Sequence, residues 1–197
     1  MRASTRREFV AGPAGRIECA VDSPDGTPRG AALIAHPHPL FGGSLDNKVV
    51  QTLARAFVEL GYEAWRPNFR GVGQTEGVHD EGRGELEDLE AVSNAIRTEK
   101  FILAGFSFGA SLAAQLAERV KCEWLVLVGV GITRIMAPPV PAGTLVIHGE
   151  NDDTVPLAAV LDWARPQELP VVVVPGADHF FHRKLHILRA LVQRNRE

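Results

Sequence analysis

The five residues Gly105-Phe106-Ser107-Phe108-Gly109 spell Gly-x-Ser-x-Gly, with a continuous apolar run before them and an amphipathic run after. A serine squeezed between a strand end and a helix start must take a strained backbone conformation, and glycines two positions to either side let the flanking elements pass closely. The hydroxyl is thereby held out over the sheet edge. The helix start also aims free N–H groups and partial positive charge at that spot, which suits an oxygen developing negative charge. On its own so short a pattern is matched more often by a serine that caps a helix. The strand before it and the helix after it favour a nucleophile.

A serine hydroxyl is a weak nucleophile, so it needs a base within hydrogen-bond reach and a third group to orient that base. Of seven histidines, His179 in Gly176-Ala177-Asp178-His179-Phe180-Phe181 falls on the loop between the last strand and the last helix, where the sheet's C-terminal edge would present it. His182 and His186 come one and two helical turns later and read as surface or packing residues. His36 and His148 end strands and read as holders of loops, and His79 reads as surface. The orienting acid should end a strand between serine and histidine. Gly149-Glu150-Asn151-Asp152-Asp153-Thr154-Val155-Pro156 offers Glu150, Asp152 and Asp153 in one loop, and Asp178 is a further alternative.

The elements that must position these groups alternate short apolar runs with longer amphipathic stretches, the signature of strands joined through helices into a mostly parallel sheet. Strands are expected over 8–11 and 16–22, separated by Gly12-Pro13-Ala14-Gly15 as a tight turn, then over 31–35, 62–67, 101–106, 124–130, 145–148 and 171–174. Helices are expected from about Asn47 to Gly61, around 86–96, and over 108–120, 156–164 and 180–193. That gives an α/β fold of about eight strands with helices on both faces, in a single domain over 1–197.

The 197 residues are 45% hydrophobic and 23% charged, enough for a full core. A net charge of -3 supplies no field that would draw nucleic acid or an anionic membrane. The basic start Met1-Arg2-Ala3-Ser4-Thr5-Arg6-Arg7 is broken soon after by Gly12, Pro13 and Gly15, so no signal peptide is expected, and no apolar stretch approaches the ~20 residues of a membrane span. Cys19 and Cys122 lie far apart without metal-ligand spacing and read as buried free thiols of a reducing, cytoplasmic compartment. No phosphate-binding glycine loop follows the first strand, which argues against a nucleotide site.

At the residues quoted above the sequence resembles the α/β-hydrolase superfamily from about Ala31 to the C-terminus. His148-Gly149-Glu150-Asn151-Asp152-Asp153-Thr154-Val155-Pro156 is similar to the superfamily's HGxxDxxVP segment, whose aspartate falls on Asp152, and Asn68-Phe69-Arg70-Gly71-Val72-Gly73-Gln74-Thr75 resembles its FRGxGxS turn with threonine for serine. His36-Pro37-His38-Pro39-Leu40-Phe41-Gly42-Gly43 most resembles the small lidless bacterial hydrolases of dienelactone-hydrolase type. The resemblance implies Phe108 N–H as one oxyanion donor and, since Pro37 and Pro39 have no N–H, Leu40 as the other with His38 second.

Only residues 131–144 are available for a cap, so the site should be open, bordered by Leu40, Phe41, Phe106, Phe108, Ile135, Met136 and Phe180. Arg70 and Arg134 could meet a substrate carboxylate. The activity implied is hydrolysis of short-chain acyl esters by Ser107, His179 and Asp152, without metal or organic cofactor, in a monomer or homodimer acting on a small molecule. Thioester, dienelactone or peptide hydrolysis would use the same groups, and a catalytically silent binding module is the alternative of another class.

Overall fold

The computed structural model describes residues 4–196; residues 1–3 and 197, the first of them the start of the basic N-terminal run, lie outside the described residues. Eight strands form one sheet in the order β1-β2-β4-β3-β5-β6-β7-β8. β1 (Ser4–Gly12) and β2 (Gly15–Ser23) are an antiparallel hairpin around Pro13-Ala14, and β2 pairs antiparallel with β4 (Glu63–Pro67). β3 (Ala31–Ala35), β5 (Phe101–Phe106), β6 (Trp124–Val128), β7 (Leu145–Gly149) and β8 (Val171–Val174) run parallel with β4 and one another. Every residue of β3, β5, β6 and β7 is buried, as continuous apolar runs covered on both faces must be.

On one face α1 (Lys48–Glu59) packs beside α5 (Leu185–Arg194), with Leu53, Phe57, Leu188 and Val192 closing over Ile34, Ile102 and Ile147. On the other, α2 (Arg83–Ala95) and α3 (Phe108–Leu116) bury Leu89, Val92 and Leu112 against Leu33, Leu103 and Leu127, and α4 (Leu157–Ala164) adds Val160. β3 lies between β4 and β5, so the chain leaves β3 to one side through α1 and returns past it to the other through α2. The order of strands therefore reverses beside β3 and β5, and a ligand crevice is expected beyond the C-terminal ends of those two strands.

Two helix boundaries differ from the expectation by four residues or more. α3 stops at Leu116 instead of 120, because the last turn tightens through Arg119 N–H to the Leu116 carbonyl. α5 starts at Leu185 instead of 180: Phe181 and Arg183 take left-handed backbones at φ 54° and 61°, and Phe181 turns fully into the core. Among the described residues the β6–β7 connection contains no helix, so the fold carries no lid domain. No described helix is long and apolar enough to cross a membrane. Cys19 is buried, with burial pushing its thiol up to about 12, whereas Cys122 is only half-buried; neither is in a disulfide.

The FRGxGxS-like turn is held from inside. Thr75 Oγ1 donates to the Asn68 carbonyl and accepts the Glu18 N–H, both at 3.0 Å, so threonine does here what a serine hydroxyl would. His36, just past β3, ties this turn to the next loop: its Nε2 accepts the Phe69 N–H at 2.9 Å and its Nδ1 faces the Pro37 carbonyl at 2.6 Å. Burial pushes its pKa down to about 3. An unfolded chain protonates this imidazole near 6.5 and the native chain does not, so stability is complete above that pH and falls as pH drops toward 3. Urea unfolding should lose about 1.4 kcal/mol per pH unit between about pH 6 and pH 5 from this group, before carboxylates contribute. A flat stability curve over that window would mean that His36 titrates in the native state.

Candidate active site

β5 delivers Ser107 to the C-terminal edge of the sheet, on the β3 side where the strand order reverses. Its backbone stands at φ 56° and ψ −118°, a region that side chains rarely occupy, and four backbone hydrogen bonds hold it there. The Ser107 N–H donates to the Val128 carbonyl at 2.9 Å, and its carbonyl accepts from Ala110 at 3.0 Å, Ser111 at 3.2 Å and Gly131 at 3.0 Å. A methyl on Gly105 would strike the Gly109 carbonyl, and one on Gly109 the carbonyls of Ala35 and His36. Only glycine at both positions lets α3 start this close to β3 and turn the serine outward.

His179 reaches Ser107 from the loop after β8, with Nε2 3.0 Å from the hydroxyl oxygen and Nδ1 2.7 Å from Asp152 Oδ2. Asp152 is fixed in turn, its Oδ1 accepting the N–H groups of Thr154 at 3.0 Å and Val155 at 2.7 Å. Burial works to raise the pKa of this carboxyl, but the hydrogen bonds from His179 and Val155 outweigh it and hold the group below the usual carboxylate range. Asp152 is therefore an anion that accepts a hydrogen bond from His179 Nδ1–H, which leaves Nε2 as a lone pair facing the serine.

The structure brings Ser107, His179 and Asp152 together and leaves the other acids elsewhere. Glu150 accepts the Gly176 N–H, Asp153 faces Thr154, and Asp178 lies 2.6 Å from His182 Nδ1. His182 sits in the turn before α5, not on a helix as expected. His79 is not plain surface: its Nδ1 is 2.8 Å from Glu85 Oε1, a fully buried carboxylate that also accepts the Gly82 N–H. Glu85 at the third helical position is the signal that was available, since a glutamate there reaches back to the residue before the helix.

A cavity of about 300 Å³ opens on Ser107 and His179, walled by His38, Phe41, Phe108 and Phe180. Phe108 N–H, first in α3, has no intrahelical acceptor, and none engages it among the described residues. The loop after β3 gives a different answer from the expected one. Leu40 is 68% exposed, stands outside the cavity wall, and turns its N–H onto His38 Nδ1 at 3.3 Å. The His38 backbone N–H is unengaged among the described residues, and His38 lines the cavity.

Of the expected border, Phe41, Phe108 and Phe180 line the opening, Phe106 is fully buried beneath the His179 ring at 4.9 Å between centroids, and Met136 points to solvent. Ile135 is partly buried and packs against the core beside Gly82. Arg70 is spent on Asp88 through two 2.8 Å bonds, whereas Arg134 faces the cavity over the Phe41 ring. Gly131 was missed as a site residue. A methyl there would stand 2.9 Å from the Ser107 carbonyl carbon and 3.0 Å from Phe108 N, against the elbow itself.

Residues 38–142 match the family model described as the alpha/beta hydrolase fold. The chain is 32% identical over 195 residues to an uncharacterized protein of Rickettsia prowazekii, covering 89% of this chain and 82% of that one. It is similar in structure to an α/β serine hydrolase without lid from Xanthomonas campestris, with a TM-score of 0.90 and 37% identity over 99% of this chain and 94% of that one. An α/β serine hydrolase homologue from Coxiella burnetii superposes with a TM-score of 0.87 and 39% identity, covering 96% of each chain. With the family model spanning more than half of the sequence and these relatives nearly all of it, the chain belongs to the alpha/beta hydrolase fold family.

Proposed function

We propose that this protein is a serine hydrolase of carboxylesterase type that cleaves short-chain acyl esters through an acyl-enzyme. The observation that carries the reading is the unbroken run of hydrogen bonds from Ser107 through His179 to Asp152, at 3.0 and 2.7 Å. His179 Nε2 takes the hydroxyl proton as Ser107 Oγ attacks the ester carbonyl carbon, and Asp152 stabilises the imidazolium that results. The carbonyl oxygen, now negative, is held by the N–H of Phe108 and by that of His38, which replaces Leu40 because the Leu40 N–H is already engaged. His179 returns the proton to the departing alcohol. It then deprotonates water, whose oxygen attacks the acyl carbon, and hands that proton to Ser107 Oγ as the acyl–Oγ bond breaks and the acid leaves.

A cavity of about 300 Å³ with aromatic walls favours small acyl groups, and the two unpaired cysteines suit a reducing cytoplasm. The test is labelling by a fluorophosphonate, with and without Ser107→Ala, followed by hydrolysis of p-nitrophenyl esters of increasing acyl length. Labelling that disappears in the variant, and turnover that falls as the acyl chain outgrows the cavity, are the expected results. A folded wild type that resists labelling would overturn the reading in favour of a silent binding module.

A further inference from the structure

His148, the fourth residue of β7, is fully buried. Its Nε2 lies 2.9 Å from the Val155 carbonyl oxygen, which can only accept, so Nε2 carries a proton. Burial is the largest influence on the ring and pushes its pKa down, with Asp152 and the Val155 bond pulling the other way. The ring is thus neutral with a fixed tautomer, and Nδ1 is a bare acceptor that has no partner among the described residues. A buried acceptor left unsatisfied is a standing cost to stability that an apolar side chain of similar size would not carry.

The same Nε2 stands 3.5 Å from Asp152 Oδ2, the oxygen on which His179 Nδ1 rests at 2.7 Å. We propose that His148 is a positioning residue for the Asp152–His179 pair: its Nε2–H, bonded to the Val155 carbonyl, holds the loop that aims the carboxylate and, 3.5 Å from Asp152 Oδ2, tempers the negative charge that His179 feels. The proposal rests on the hydrolase reading above. The titratable groups facing Asp152 are His148 from β7 and His179 from the loop after β8; Asp178, beside His179, is turned to His182.

Two roles for His148 move the protonation of His179 in opposite directions. If the Nε2–H tempers Asp152, its removal exposes His179 to more negative charge, and His179 holds its proton to higher pH. If His148 merely keeps the 149–155 loop shut, its removal lets Asp152 drift away, and His179 loses its proton at lower pH.

The experiment is the pH profile of kcat/KM on a short p-nitrophenyl ester for wild type, His148→Met and His148→Gln. The acid limb of the Met variant should move to higher pH by roughly threefold in proton concentration, while the Gln amide N–H restores the wild-type limb. Coincident limbs, or a shift to lower pH, overturn the proposal. Should the Met variant not fold, nitrogen-15 shifts of the wild-type histidines decide: at neutral pH His148 must be neutral with its proton on Nε2, and a proton on Nδ1 overturns the proposal. A folded wild type without Ser107-dependent turnover would remove the hydrolase reading and this proposal with it, whereas normal turnover with coincident limbs removes the proposal alone.

Discussion

Ser107→Ala is expected to lower kcat/KM on a short acyl ester by roughly 10⁴-fold or more while leaving the protein folded, because nucleophile, base and acid act as a unit. The hydroxyl oxygen is engaged by His179 alone, so alanine removes no bond that supports the core. The backbone at φ 56° remains strained with alanine and is relieved with glycine. Ser107→Gly should therefore be as inactive as Ser107→Ala yet more stable by about 1 kcal/mol, read from the urea midpoints of the two variants. Turnover of the alanine variant above about one per cent of wild type would mean that another group attacks the ester.

The second large effect is that of Asp152→Asn, expected at roughly 10³- to 10⁴-fold in kcat/KM with little change of structure. Oδ1 of Asp152 accepts two backbone N–H groups, from Thr154 and Val155, and only an oxygen can occupy that position. The amide nitrogen of the variant must then face His179, where Asp152 Oδ2 now accepts a hydrogen bond from Nδ1–H. Two donors cannot share that contact, so the imidazole moves its proton to Nε2 and presents a donor, not a lone pair, to Ser107. The loss should appear in kcat/KM with fluorophosphonate labelling slowed in step. Labelling at the wild-type rate would show that Asp152 does not set the tautomer of His179.

Much of this was legible in the residues. The run 31–35 is apolar without a break because a central parallel strand meets a helix layer on each face, and β3 is that strand. Gly105, Ser107 and Gly109 are local in sequence, and the clash each glycine avoids involves its immediate structural neighbours, so their pattern named the turn between β5 and α3. The start of α5 was not legible. Its apolar spacing continues back through Phe180 and Phe181, and only the burial of Phe181 under left-handed backbone shows that these residues form a turn.

For the site, the sequence by itself determined which residue types were available and in what order, with Ser107, an acid loop holding Asp152, and His179 each at a strand's end. The tertiary structure decided among equals. Glu150, Asp152 and Asp153 differ little as neighbours in one loop, and it is the turn closed by Thr154 and Val155 on Oδ1 that points Asp152 alone at His179. Likewise Leu40 and His38 both carry backbone N–H groups in the same loop, and the short turn at 39–41 directs one onto a side chain while leaving the other free. Hydrogen-bond direction depends on backbone angles a few residues away and on strands far along the chain, and side-chain identity records neither.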